Sequence, residues 1–283
     1  MKQCRKMVEP ESLTEYRNSQ PESTWEDMKN DPLYGGIKAA KEAKVALVRG
    51  QRCLCAFCEI SIAPNCSDEG INESISKKRV EHFHPKSDTN RPPNWNLHWP
   101  NLWAVCHGGS GQSEDDKVSG LYPLPQNLSC DAYKDYQIAT GKLSKEPEGW
   151  LLAPDEVPAF PPIFQYSPHG VPEPHKTNCD EVSFPGKKYS SSQELVSKTI
   201  EHLNLGCYRL AERRRIAKAQ LEKRIQTARR ASPGARVEDV MLGIVRRLFA
   251  ADPDSPWPEF FSLLRWRLGE CAEDHLRSIG YDG

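Results

Sequence analysis

The chain reads as an α+β protein: a small core of short strands held by cysteines, a helical C-terminal region and an extended N-terminal arm. Three observations predict this. Between Arg52 and Lys134 no 3.6-residue period is sustained, and Gly, Pro, Asn and Cys abound, as in short strands and loops tied together by a metal. From Ser192 onward apolar residues recur at helical spacing. Four cysteines, Cys55, Cys58, Cys106 and Cys130, bracket a cluster of acids, a histidine and an asparagine.

The elements follow in order. Residues 1–36 are polar and interrupted by Pro10, Pro21, Pro32 and Gly35-Gly36, with Leu13, Tyr16 and Trp25 as anchors, which predicts an extended arm. Residues 37–140 form the cysteine-held core. It begins with a helix over Ile37–Arg49, where Ala40, Ala43, Ala46 and Leu47 fall near helical spacing and Gly50 supplies the stop. Residues 141–190 are dense in proline and predict irregular structure, although Phe160, Ile163, Phe164 and Tyr166 offer a strand. Residues 191–283 read as a helical bundle. Val196, Ile200 and Leu203 stand at i, i+4 and i+7, and Val237, Val240, Met241, Ile244, Val245, Leu248 and Phe249 make an almost continuous stripe. Pro233-Gly234 and the run 252–256 supply turns, and Phe260, Phe261, Leu264 and Leu268 predict a final helix.

At 283 residues with 37% hydrophobic content, the chain can bury a core of ordinary size. Its formal net charge of -1 excludes a protein that coats nucleic acid by bulk electrostatics, so any such contact is local. Two basic patches qualify, Lys77-Lys78-Arg79 and the nine Lys or Arg between Arg209 and Arg230, the second reading equally as a solvated helix face. The first ten residues are charged, and no apolar run approaches the roughly 20 residues that span a bilayer, which predicts a cytoplasmic location and no membrane contact.

Ten cysteines in a chain of this length are too unevenly spaced for a small secreted disulfide framework, and metal binding is the better reading. Structural zinc takes four soft or borderline ligands at tetrahedral angles. Cys55-Ala56-Phe57-Cys58 supplies one turn, and Cys106 with Cys130 the second pair, across an intervening loop from His107 to Ser129. Cys53 competes with Cys55, and His107 is a rival ligand. Cys4, Cys66, Cys179, Cys207 and Cys271 lack ligand spacing and read as free or buried thiols.

The segment Val80-Glu81-His82-Phe83-His84-Pro85 carries the chemistry. Phosphodiester hydrolysis needs an activated water and a cation to absorb charge on the phosphorus oxygens and the leaving alkoxide. Imidazole titrates near neutrality, so His82 suits the proton; Glu81 and Asp131 offer hard oxygen ligands for Mg²⁺ or Mn²⁺. Neighbours on a strand point to opposite faces, so Glu81 and His82 converge only where the strand ends or bulges. Asn101 would brace the facing segment through its amide. His84 rivals His82, and Asn94 and Asn96 rival Asn101. Trp95, Trp99 and Trp103 read as packing beneath the module rather than as a base-stacking platform.

Assembled, these residues resemble the HNH, or ββα-metal, nuclease superfamily, and more narrowly the HNH nucleases of bacterial Septu and retron-associated antiviral systems. The resemblance rests on Cys55-x-x-Cys58-Glu59, Glu81-His82-Phe83-x-Pro85-Lys86-Ser87, Trp99-x-Asn101-Leu102, Val105-Cys106-His107-Gly108-Gly109, Cys130-Asp131-x-x-Lys134 and the run 199–205. It implies a zinc-stabilised ββα-metal core in which Cys55, Cys58, Cys106 and Cys130 bind structural zinc. It further implies that His82 is the general base, Glu81 and Asp131 hold the catalytic ion, and Asn101 is the central asparagine. Glutamate stands where aspartate is commoner before the histidine, and aspartate where asparagine or histidine often binds the ion; both keep an oxygen ligand.

The resemblance also implies partners: an ABC or SMC-like ATPase of the same defence system and, in a retron setting, a reverse transcriptase with its nucleic acid. No G-x-x-x-x-G-K-[ST] loop is present, so an ATPase activity of the chain itself is not expected. The expectation is a metal-dependent endonuclease, DNA favoured. Two alternatives stay open: a ribonuclease acting on structured RNA such as tRNA, and a non-catalytic zinc-dependent module that binds nucleic acid or protein.

Overall fold

A computed structural model of the protein describes residues 1–74, 78–88, 93–110, 123–252 and 255–283. Among the described residues the fold is mixed, with helices throughout and two small sheets. Lys77 of the first basic patch, most of the loop between His107 and Ser129, and residues 253–254 of the last turn lie outside the described residues.

The N-terminal stretch departs from the expected extended arm. It carries helices α1 (Glu11–Ser19) and α2 (Trp25–Asn30), both packed on α3 (Gly36–Gly50). Pro10 is the residue that caps α1, and Pro21 lies just ahead of α2, positions where proline does not interrupt a helical hydrogen bond. Thr24 and Asp27 close a capping box at the start of α2, each side chain meeting the other's backbone N–H. Tyr16, Trp25 and Met28 turn inward onto Ala39, Ala40, Ala43 and Leu47 of α3. The chain comes so close at Gly36 that a Cβ there would stand 2.3 Å from the Met28 carbonyl oxygen.

After α3 the chain makes the Cys55–Cys58 turn, a short helix α4 (Asp68–Glu73) and strand β1 (Arg79–His82). Strand β2 (Leu102–Val105) pairs antiparallel with β1, placing Glu81 opposite Trp103 and His82 opposite Leu102. The Gln51 amide ties the cysteine turn to this sheet. It donates to the Leu54 and Ala104 carbonyls at 2.9 and 2.7 Å and accepts from the Ala104 N–H at 2.9 Å. Helix α5 (Cys130–Ala139) follows.

The Pro-rich segment is irregular except for a 3-10 turn (Pro147–Gly149), a small antiparallel pair, β3 (Phe164–Tyr166) with β4 (Pro172–Pro174), and the short helix α6 (Lys176–Asp180). Beyond it come α7 (Ser192–His202), α8 (Tyr208–Ala231), α9 (Val237–Leu248), α10 (Phe261–Leu268) and α11 (Glu270–Ser278). The helix expected to be last is therefore followed by another. Gly269, with φ 59°, turns the chain between α10 and α11. The C-terminal helices enclose their own apolar cluster, in which Trp257 stacks on Phe261 at 4.4 Å between centroids. Leu54, inside the cysteine turn, belongs to that cluster, whereas Cys53 and Cys55 on either side of it belong to the main core.

Candidate active site

Cys55, Cys58, Cys106 and Cys130 come together with all four sulfurs within 4.8 Å of one another, and all four are buried. The Cys58–Cys106 separation is 3.7 Å, and Cys130 lies 3.9 Å from both Cys55 and Cys106. A tetrahedron with Zn–S near 2.3 Å has edges of about 3.8 Å, so the four sulfurs fit zinc without rearrangement. Against the burial that would raise it, hydrogen bonds from Cys106, Cys130 and Cys55 hold the Cys58 thiol well below its ordinary value. Burial pushes the Cys130 thiol well up. Four buried sulfurs cannot all ionise beside one another unless a cation joins them.

Local backbone explains how the distant cysteines arrive. Cys130 has φ 56° and donates its N–H to the Leu203 carbonyl at 2.8 Å. Gly108, with φ 64°, accepts from the Ser129 N–H at 2.9 Å, and a Cβ on it would meet the Ser129 oxygen at 2.3 Å. The glycine therefore lets the end of β2 lie directly against the start of α5, which closes the cysteine set. Cys53 does not replace Cys55. It is joined in a disulfide to Cys66, which corrects the expectation of a free thiol at Cys66. Among the described residues no histidine belongs to the four-sulfur group.

A second constellation lies beside the first, because Asp131 directly follows Cys130 at the start of α5. Glu81 is 5% exposed and Asp131 1% exposed, and the two carboxyls interact directly. Burial, then the Asp131 charge, pushes the Glu81 carboxyl well above the usual carboxylate range. Against burial, the hydrogen bond from Glu81 and the Arg79 charge hold Asp131 below that range. Two buried carboxyls set against one another repel as charges, and a cation between them would relieve that repulsion. Asp131 Oδ1 is buried with no hydrogen-bond partner, while Oδ2 meets Arg79. The donor set, two carboxylates and an orphaned oxygen, fits a divalent ion that keeps the rest of its shell for water and phosphate.

His82 closes strand β1 and shares a cleft with both acids, so the strand's end at His82 removes the geometric conflict between neighbours on opposite faces. Its Nε2 lies 3.0 Å from the Asn96 carbonyl oxygen, which can only accept, so Nε2 carries the proton and Nδ1 is the basic nitrogen. Burial lowers its pKa to about 4, with the Lys86 and Lys134 charges adding to the effect, so the ring is neutral at pH 7. The Trp25 indole packs edge-on at 5.8 Å between ring centroids.

Asn101 sits immediately before β2. Its Oδ1 accepts from the His84 N–H at 2.6 Å, and its Nδ2 donates to the His84 and Trp95 carbonyls at 3.0 and 2.9 Å. His84 itself is engaged at both ring nitrogens, with Glu148 at 2.6 Å and Asp88 at 2.9 Å, and stacks on Trp95 at 4.0 Å. It does not line the cleft that His82 faces. Asn94 and Asn96 serve backbone contacts elsewhere: Asn94 donates to the Pro21 and Ser23 carbonyls, Asn96 to the Lys86 carbonyl.

Sequence reasoning named two cations without foreseeing their partners, Arg79 within a basic patch for nucleic-acid contact and Lys134 within the Cys130-Asp131-x-x-Lys134 motif. Lys134, 1% exposed, donates to the His82 and Phe83 carbonyls at 3.1 and 3.0 Å and ion-pairs with Glu81, so one ammonium holds the end of β1 and its acid together. Arg79 pairs with Asp131 and lies 3.7 Å from Asp135. The motif spacing that carried the resemblance puts Lys134 three residues after Asp131, one helical turn along α5. The larger basic run proves partly structural. Arg209 and Arg214 are buried in α8, and Arg213 and Arg215 pair with Glu259 and Glu212.

The cleft measures about 550 Å³, with Glu81, His82 and Asp131 on one side and residues of α2 and α3 on the other. No family model matches the sequence. Over 218 residues, covering 76% of this chain and 78% of the relative, the sequence is 34% identical to the Escherichia coli protein named "Retron Ec83 putative HNH endonuclease".

Proposed function

The chain belongs to the HNH endonucleases, enzymes that hydrolyse phosphodiester bonds, and we propose that it cuts nucleic acid at the cleft bounded by Glu81, His82 and Asp131. The observation that carries this reading is the cradle itself: two buried carboxyls, one with an unpartnered oxygen, beside a neutral imidazole whose Nε2 is already committed to the Asn96 carbonyl. HNH nucleases are metal-dependent. Glu81 and Asp131 would hold Mg²⁺ or Mn²⁺, and Cys55, Cys58, Cys106 and Cys130 a structural zinc in a ββα-metal core. When bound, the catalytic ion supplies positive charge for the phosphorus oxygens and the departing alkoxide.

The chain's own residues do the rest. His82 Nδ1 takes the proton of the attacking water, and the Nε2–H bond to Asn96 fixes the ring's direction. Asn101 pins the turn that follows His82 by holding both backbone groups of His84. Lys134 keeps the β1 terminus and Glu81 in register.

DNA is the favoured substrate in this reading. The relative's name carries a retron context, and the motif resemblance extends it to the Septu type of antiphage defence. There the chain would act in the cytoplasm as effector beside an ABC or SMC-like ATPase and a reverse transcriptase with its nucleic acid. Among the described residues no helix is long and apolar enough to cross a membrane.

The test compares wild type with His82→Ala on plasmid DNA, single-stranded DNA and total tRNA, with Mg²⁺ or Mn²⁺ and with EDTA. Cutting that needs both His82 and the ion supports the reading. Identical behaviour of the two proteins on every substrate, with the copurifying ATPase present, removes it.

A further inference from the structure

The wall of the cleft opposite the acids is built by the N-terminal helices, and it carries cations that the hydrolytic step does not use. Lys44 projects from α3 between the buried positions Ala43 and Val45 and lines the cleft. It is half-buried and makes no hydrogen bond or ion pair with the described residues. Glu26, the acid on neighbouring α2, is taken by Lys29. Across the cleft Lys86 follows Pro85, just past the catalytic histidine. Its backbone carbonyl is fixed by the Asn96 amide at 3.1 Å, while its ammonium is exposed and unpaired among the described residues.

Neither Lys44 nor Lys86 makes an ion pair among the described residues that would account for its place at the cleft. Burial, then the charge of Lys29, holds the Lys44 ammonium below its ordinary pKa against the opposing charge of Glu26, and an anion bound in the cleft would stabilise it further. The other lining cations are spoken for: Arg79 and Lys134 by Asp131 and Glu81, and Lys78 by the Ile71 carbonyl. Lys44 and Lys86 are therefore the lining lysines left for a ligand.

We propose that Lys44 of α3 and Lys86 of the turn after His82 form a phosphate subsite that grips the nucleic-acid backbone beside the phosphate being cut. This rests on the nuclease reading for its position along the strand, and it gives helices α2 and α3 a role as one wall of the substrate channel. Trp25, edge-on to His82, sets the distance between that wall and β1.

The experiment uses the full chain carrying His82→Ala, so that the probe survives, and a fluorescent single-stranded DNA of about 15 nucleotides, the length of one single-strand binding site. Binding is titrated by anisotropy across a salt series for the parent and for Lys44→Gln, Lys86→Gln, the double variant and Lys44→Arg. Each glutamine change is expected to weaken binding about tenfold, the scale of one charge-assisted hydrogen bond. Each should also reduce the slope of log K against log salt by about 0.7, one phosphate contact. Lys44→Arg keeps the charge and should retain most of the affinity. A double variant that binds like its parent, with the same slope and an unchanged melting temperature, overturns the subsite. The outcome is separable from the nuclease reading, because cleavage by protein with His82 intact is measured apart from binding.

Discussion

Asn101 and His84 are closed into a ring: the asparagine oxygen accepts from the His84 N–H at 2.6 Å while its amide nitrogen donates to the His84 carbonyl at 3.0 Å. Because the same nitrogen also donates to the Trp95 carbonyl, removing the amide strands a donor and two acceptors at once. Asn101→Ala should cost about 2–4 kcal/mol, three unsatisfied groups at roughly 1–3 kcal/mol each, largely recovered by water at the half-buried Trp95 carbonyl. Urea denaturation measures this. A loss below about 1 kcal/mol would show that the turn after His82 does not depend on Asn101.

Among the described residues, Lys134 is the cation that reaches both the β1 terminus and Glu81. Lys134→Met fills the space but leaves two carbonyls and a buried carboxyl without their donor. The expected loss is about 3–5 kcal/mol, the range for breaking one side of a buried ion pair. Differential scanning calorimetry reads it, and a melting point equal to wild type would mean that the pair contributes nothing to the fold.

His82 titrates low, at about pH 4 against an ordinary 6.5. Because the folded value is depressed, the unfolded chain binds more protons between these values. The stability held above pH 6.5 is then lost as pH falls toward 4, about 3 kcal/mol in all. Single-turnover rates should accordingly stay level from pH 8 down past 6, where an ordinary histidine would already be half protonated. A rate that halves near pH 6.5 would contradict the buried neutral ring.

Gly108 holds a left-handed backbone with no room for a side chain. Gly108→Ala should destabilise the protein by about 1–3 kcal/mol and, because the glycine abuts Ser129 next to Cys130, reduce bound zinc. Elemental analysis of the purified variant checks this; full zinc occupancy at unchanged stability would refute it.

Cys55→Ser removes one of four sulfurs whose spacing suits a tetrahedral ion. The variant is expected to lose bound zinc and solubility together, whereas Cys271→Ser, outside the cluster and partly exposed, should change neither. Zinc stoichiometry equal to wild type in Cys55→Ser would exclude that cysteine as a ligand.

Much of the candidate site could be proposed from sequence because its residue types are rare and their spacing is local: a Cys-x-x-Cys turn, an acid beside a histidine, and a cysteine preceding an aspartate. The strand end at His82 answered a conflict that the two-residue period itself had raised. Other features depended on burial and long-range approach, which periodicity does not encode. Lys134 and Arg79 look like surface charges until α5 is laid against β1. Helices α1 and α2 were masked because prolines near their starts read as breaks, and α11 because Gly269 separates two helices that share one apolar stripe. The pairing of Cys53 with Cys66 joins residues 13 apart that carry no spacing signature.

Leu54 packs among the C-terminal helices while the cysteines beside it face the main core. The turn that would grip zinc is thus also a rivet between the two halves of the apolar interior. Chelation should therefore not leave a surviving helical fragment: both halves should lose protease resistance in one step. If the turn does hold zinc, metal shortage would expose the whole chain to proteolysis at once rather than spare a helical remnant.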